Sequence, residues 1–220
     1  MGNLIKIIST LHISTKRNYL ERMNNSKIEC MRVARKFDKS YWDGDRKFGY
    51  GGYKYIPNRW TNVAKIIIKK YKLSNKSKIL DVGCGKGFLL LEIFKILPKI
   101  KIYGFDISKY AIKKAPREIR KFLAYGDISK KLKFKKKYFN LTISINTLHN
   151  LKIFNLYDAL KEINRVSKKT FISVESYRNE KELFNLQCWA LTCNSFFSKD
   201  EWEWIFKKCK YSGDYEFIYF

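Results

Sequence analysis

Three glycines fall within five positions in ILDVGCGKGFLL, residues 79–90, between an apolar run and a stretch with helical spacing. Glycine costs about 0.5–1 kcal/mol against alanine inside a regular element, so the cluster implies a backbone that something must approach closely. A strand, a glycine-rich turn and a helix start are where α/β sheets hold ligands, with exposed N–H groups facing polar atoms. The spacing is Asp81-x-Gly83-x-Gly85-x-Gly87. A dinucleotide fold asks for a small residue where Phe88 stands, and no Gly-Lys-Ser/Thr follows, so a nucleoside-triphosphate loop does not fit either. Two further acids follow in order. Asp106 ends a second apolar run roughly 20 residues on, where a carboxylate accepts ribose hydroxyls. Gly126-Asp127 ends a third run, an acid well placed for an adenine amino group. A fourth run ends in Asn146, and Thr-Leu-His149-Asn150 comes next.

These residues need a frame, and the pattern from Lys78 onward supplies one. Strands are expected at 78–82, 100–106, 121–127, 139–146 and 170–176, with helices at 87–97, 109–115 and 155–167 between them. This βαβ rhythm implies a parallel sheet covered by helices on both faces. SKDEWEWIFKKC (198–209) opens with a capping box, Ser198 and Glu201, and reads as a helix before a terminal strand at 213–220. Residues 1–77 read as a helical prefix and lid, and 78–220 as the ligand-binding domain. The prefix holds one irregular insert, Tyr41–Trp60, dense in Gly, Tyr and Asp, where Gly49, Gly51 and Gly52 would let the chain turn sharply and close over a site.

With the acid–glycine set in order, the chain resembles the class I S-adenosylmethionine-dependent methyltransferases from about Ser74 to Phe220. WDGDRKFGYGGYKY and ISINTLHNL further resemble a bacterial subgroup of these enzymes. The resemblance implies a doubly wound, mostly parallel seven-stranded sheet with an antiparallel last strand. It implies S-adenosylmethionine as cofactor and S-adenosylhomocysteine as product. The methionyl portion would lie on Asp81, Gly83, Cys84, Gly85 and Gly87, the ribose on Asp106 and Ile107, and the adenine on Gly126, Asp127 and Ile128, with Asn146 beside them. The family's chemistry needs no metal, and none is expected here.

Methyl transfer needs a nucleophile in line with the methyl group and often a base. The loop after strand four borders the methyl in this fold, which makes His149 the candidate base; the alternative is a residue that only starts the next helix. Asn150 could orient the acceptor. Glu175 and Arg178, ending strand five, could bind a charged acceptor or pair with each other. Asp45, Arg46, Tyr50, Tyr53 and Trp60 of the insert suit a cationic acceptor, the cofactor carboxylate, or simple packing of a lid.

The net charge of +26 raises a nucleic-acid hypothesis. Lysine dominates over arginine, the residue preferred for bidentate phosphate contacts, and abundant Ile, Asn, Phe and Tyr fit an AT-rich coding bias. A small-molecule acceptor is therefore the first expectation, and an RNA or protein methyltransferase using the basic surface the alternative. The tetrapeptide position after strand four reads NTLH, unlike the aromatic–proline motif of base-amino methylation. Five cysteines without a CxxC pair suit a reducing cytoplasm. No run of 18 apolar residues occurs, so no membrane-spanning helix is expected, and the N-terminal stretch makes a poor signal peptide.

Overall fold

Six of the apolar runs form strands: β1 Lys78–Val82, β2 Lys101–Asp106, β3 Leu123–Tyr125, β4 Phe139–Ile145, β5 Ser167–Glu175 and β6 Asp214–Ile218. The computed structural model describes residues 2–13, 16–51 and 53–220, so Gly52 of the insert lies outside the described residues. The strands make one sheet in the order β3-β2-β1-β4-β5-β6. Side chains alternate between its faces. Ile79 and Phe171 meet the helices Thr61–Tyr71 and Phe88–Ile96 on one side. Leu80, Val82, Ile172 and Val174 meet Ile153–Val166 and Lys199–Lys208 on the other. The helix Ile153–Val166 buries Leu156, Ala159, Leu160, Ile163 and Val166, a stripe at helical spacing.

The expectation of seven strands with an antiparallel last one is corrected: the sheet of the described residues has six strands, and all pair in parallel. The register of β6 runs Phe171 to Asp214 and Glu175 to Ile218. The cause lies in the connection. Two helices, Glu180–Trp189 and Lys199–Lys208, carry the chain back across the sheet before β6 starts. A parallel neighbour requires such a crossover, whereas an antiparallel one can follow a short hairpin. The helix Glu180–Trp189 was not anticipated, because its burial of Glu182, Leu186, Cys188 and Trp189 gives a weak apolar period. The helix expected at 109–115 stops at Lys113, and a second short one, Arg117–Arg120, starts after Pro116.

The prefix packs into the same core, with Ile7, Ile8, Val63 and Ile67 beside β1 and β4 residues. Its first residues cover the exposed edge of β6: Ile5 N–H donates to Tyr215 O (2.9 Å) and Tyr215 N–H to Asn3 O (3.0 Å). An uncovered edge strand would invite pairing with another chain. The anchor is Glu216, whose carboxylate accepts the N–H groups of Ile7, Ile8 and Ser9, each at 2.7 Å. Glu216 is buried. Hydrogen bonds to a charged acceptor contribute about 1.5–3 kcal/mol each. Glu216→Gln keeps the shape and loses the charge, so unfolding stability should fall by about 2–3 kcal/mol with faster amide exchange at Ile7–Ser9. Unchanged exchange there would refute the anchoring.

Candidate active site

The glycine loop is tied to the end of β2. Phe105 O accepts from Gly83 N–H (2.9 Å) and Cys84 N–H (3.1 Å). The Asp106 carboxylate takes Gly85 N–H on one oxygen and Ser108 N–H on the other, each at 2.8 Å. The loop closes because Gly83 and Gly85 take φ of +75° and +55°, values that side chains rarely adopt. A Cβ on Gly85 would stand 2.7 Å from the Trp42 ring, which lies over the loop. Asp81 is buried with Oδ1 lacking a partner. Burial, then the nearby Asp106, pushes its carboxyl up to about 8. Burial also raises Asp106, against the lowering pull of its two N–H donors. Asp127 Oδ1 caps the turn through Ser129 N–H (2.9 Å). Asn146 has φ of +49°, and its Oδ1 accepts from Ser173 Oγ (2.8 Å).

These groups line one cavity of about 460 Å³. It holds Asp81, Gly83, Cys84, Gly85, Gly87, Asp106, Ile107, Gly126, Asp127, Ile128 and Asn146 at one end. Tyr50, Tyr53, Trp60, His149, Asn150 and Glu175 face the same space. The insert is fastened over the loop: Lys86 Nζ reaches Asp43 Oδ1 (2.7 Å) and Tyr53 O (3.0 Å), and Tyr110 donates to Asp43 Oδ2 (3.0 Å). The buried Tyr50 hydroxyl accepts Leu191 N–H (2.6 Å) and Thr192 N–H (3.0 Å), so it braces the wall.

At the inner end His149 is buried and its Nδ1 accepts the N–H of Glu175 (3.2 Å). That bond assigns the ring proton to Nε2, which lies 3.4 Å from Glu175 Oε2. Burial lowers the imidazole to about 3. Burial raises Glu175 to about 8 despite the charge of Arg17. The contact therefore joins two uncharged groups near neutral pH, not an ion pair, and Oε2 makes no hydrogen bond. Three expected site residues stay outside the cavity. Asp45 caps the turn Arg46–Phe48 through Lys47 N–H (3.0 Å). Arg46 lies against the Trp189 ring (5.4 Å). Arg178 is exposed and pairs with Glu182, one turn along in sequence, rather than with Glu175. Sequence reasoning missed His12, Arg17, Trp42 and Trp189, which also line the cavity. Trp42 directly precedes the DGDR motif, a signal that was available; the others come near only through the fold.

The sequence profile of the family "Methyltransferase domain" matches residues 73–210. The chain belongs to the methyltransferase-domain family. As a member it is an enzyme that uses S-adenosylmethionine. Among relatives, YrhH of Bacillus subtilis, named for methyltransferase activity, is 26% identical over 132 residues, 57% of this chain and 72% of that one. Malonyl-[acyl-carrier protein] O-methyltransferase of Bacillus anthracis is 25% identical over 146 residues, 60% of this chain. The aligned part spans only 54% of that enzyme's length. Geranyl diphosphate C-methyltransferase of Streptomyces coelicolor, solved with Mg2+, geranyl diphosphate and S-adenosyl-L-homocysteine, shares the fold at a TM-score of 0.54. Identity there is 12%, over 66% of this chain and 56% of that one. The orphaned Asp81 Oδ1 and the open glycine cradle fit such a cofactor.

The buried carboxyls of this methyltransferase set a pH dependence. Asp81 and Glu175 hold their protons more tightly folded than unfolded, from ordinary values of 3.8 and 4.5 up to about 8. Their share of stability is full below the lower values and is lost as pH rises toward 8. His12 and His149, lowered from 6.5 to about 4 and about 3, act oppositely but only below pH 6.5. Between pH 6.5 and 8 the carboxyls dominate, at most about 1.4 kcal/mol per pH unit each, and Lys27, lowered by burial from 10.5 to about 8, opposes them only near the top of that window. The melting temperature of ligand-free protein should fall over that window, and Asp81→Asn with Glu175→Gln should flatten the fall. A wild-type midpoint that stays level would refute the burial of both acids.

Proposed function

We propose that the enzyme methylates an oxygen or nitrogen of a small molecule, with Glu175 rather than His149 taking the proton. The observation that carries this reading is the buried Glu175 carboxyl, whose Oε2 makes no hydrogen bond and which faces the same cavity as the glycine loop. When bound, S-adenosylmethionine supplies an electrophilic methyl on a good leaving group. Asp81 and the loop backbone at Gly83, Cys84, Gly85 and Gly87 would hold its amino-acid portion, Asp106 and Ile107 its ribose, and Gly126, Asp127 and Ile128 its adenine, with Asn146 alongside. Tyr50, Tyr53, Trp60 and Asn150 would shape the acceptor's space. A carboxyl with its pKa near 8 is matched to proton removal at physiological pH. His149, with Nδ1 already occupied, is suited to positioning that carboxyl.

The cavity volume of about 460 Å³ falls among those of small-molecule sites, roughly 300–1,000 Å³, and the fastened insert limits access by a bulky acceptor. All five cysteines are free thiols, which favours a cytoplasmic setting. No helix of the described residues is long and apolar enough to cross a membrane.

Cofactor affinity should depend on Asp106. Asp106→Ala removes a charged acceptor, about 1.5–3 kcal/mol per bond, so calorimetry should show at least tenfold weaker S-adenosylmethionine binding; unchanged affinity in the folded variant would overturn the ribose assignment. The acceptor can be sought by feeding methyl-labelled methionine to a deletion strain, where a labelled low-mass product should vanish. Loss of label from RNA or protein alone would overturn the small-molecule reading. With that acceptor, Glu175→Gln should lower kcat by roughly 10²–10⁴-fold at unchanged cofactor affinity and remove the rise of kcat/KM toward pH 8. His149→Asn should cost less and leave the pH rise in place. The reverse ranking would restore His149 as the base.

A further inference from the structure

Two arginines, Arg17 and Arg59, line the cavity besides Lys86, which is paired with Asp43. Arg59 belongs to the cofactor's end. It comes two residues before Thr61, whose hydroxyl bonds Glu92 of Phe88–Ile96, the helix that follows the glycine loop. Arg17 belongs to the other end. Its guanidinium carbon lies 5.4 Å from the centre of the Phe220 ring, beyond β6, and its charge reaches Glu175 at the end of β5. Arg17 Nη2 donates to His12 O (3.1 Å), which fixes where the guanidinium sits. In the sheet order β3-β2-β1-β4-β5-β6, the acids assigned to adenine and ribose and the glycine loop follow β3, β2 and β1. The ends of β5 and β6 therefore border what remains for an acceptor.

Formal charge at that end is positive. Arg22, Arg17 and Arg46 gather on the Trp189 ring, at 4.7, 5.4 and 5.4 Å from its centre. Arg22 gives its donors to the carbonyls of Trp189 (3.4 Å), Arg46 (3.1 Å) and Gly49 (2.9 Å). Arg46 Nη1 also takes Gly49 O (3.3 Å), and a Cβ on Gly51 of the cavity wall would stand 3.0 Å from its guanidinium. Burial lowers Arg22 and Arg46, and the groups that pull them back up are Tyr50, Tyr53 and Cys30, with no carboxylate among them. Nor do the neighbouring groups cancel Arg17. Burial lowers His12 to about 4, which leaves it neutral, and Glu175 is protonated near neutral pH. Guanidiniums sharing one ring without a carboxylate leave a positive field that a bound anion completes. An ammonium acceptor would meet like charge there, because the cation–π places on Trp189 are taken.

We propose that the acceptor is a small anion, a carboxylate or phosphate monoester that also carries a hydroxyl or amine. Arg17 holds the anionic group between Trp189 and Tyr50, and the hydroxyl or amine lies beside Glu175. Arg22 and Arg46 do not touch the anion; their charge, one layer back, favours it. This acceptor class rests on the small-molecule reading of the same cavity. In the transfer the acceptor oxygen or nitrogen bonds the methyl carbon as the carbon–sulfur bond breaks, its electron pair staying on sulfur. The acceptor's proton goes to the Glu175 carboxylate. The anionic group takes no methyl, so the product keeps its negative charge.

The test is calorimetry of the S-adenosyl-L-homocysteine-bound enzyme with benzoate, phenyl phosphate, benzylamine and benzyl alcohol, probes of similar shape and different charge. At least one anion should bind roughly tenfold or more tighter than the amine and the alcohol. Benzoate ahead marks a carboxylate site, phenyl phosphate ahead a phosphate one. Arg17→Gln should weaken the anions roughly 10–100-fold, the loss of charged hydrogen bonds, and Arg17→Lys should restore part of it. The control Arg32→Gln, at an exposed arginine paired with Glu29, should leave anion affinity in place. A cooperative melt reports folding, and S-adenosyl-L-homocysteine affinity should be unchanged in all three variants. The wild-type ranking of the probes decides the matter even where a variant does not fold. Similar binding of all the probes, binding of none, or equal loss in the Arg32 variant would overturn the proposal. So would weaker S-adenosyl-L-homocysteine binding by folded Arg17→Gln, which would give Arg17 to the cofactor's own carboxylate. In the deletion-strain comparison the labelled low-mass product should be retained on an anion exchanger. A cationic or neutral low-mass product overturns the anion and leaves the small-molecule reading standing; label lost only from RNA or protein overturns both.

Discussion

Burying Asp81, Asp106 and Glu175 at the ends of three parallel strands is the constraint on which the site depends. A buried carboxyl is costly unless it is hydrogen-bonded or neutral. Asp106 is relieved by two backbone N–H groups, and those bonds are what bend the glycine loop back onto β2. Asp81 and Glu175 have no such relief and are held neutral by burial near physiological pH. The fold therefore stores its polarity where parallel strands end and the sheet ladder no longer consumes backbone donors. A ligand rich in hydroxyl and ammonium groups is what that arrangement lacks.

The rest of the molecule serves to enclose that end. Lys86 is a buried cation inside the loop, and its pairing with Asp43 and Tyr53 O ties the insert down at the point where the loop is most open. Trp42 occupies the space that Gly85 leaves free. From the other side, Glu216 organises the first turn of the prefix, which brings Ile8, Leu11 and His12 to the cavity. Lid and wall thus come from the prefix, while the acids come from the sheet.

Much of this was legible in the sequence because it is local. Glycines at fixed spacing, acids ending apolar runs and the Ser198–Glu201 capping box depend on neighbours a few residues away, and the strands, the loop and the cap follow. The direction of β6 was not legible, since it depends on how a long two-helix connection returns across the sheet. Nor was the fate of Arg46 and Arg178. Both lie in suggestive motifs, but long cationic side chains settle on whichever ring or carboxylate is nearest, here Trp189 and Glu182.

The proposed roles of His149 and Glu175 turn on how burial changes what a residue type suggests. A histidine in the loop after β4 reads as a base because its free imidazole titrates near neutrality. Here the N–H of Glu175, the last residue of β5, would lack a sheet partner, and His149 Nδ1 accepts it. Accepting that bond fixes the tautomer and uses the lone pair that a base would need. The same contact sets Nε2–H beside the carboxyl of Glu175, so in the proposed reaction the imidazole would orient the group that takes the proton. In the proposed reaction burial thus exchanges the ordinary roles of the two side chains: it lowers the histidine to about 3 and raises the glutamate to about 8.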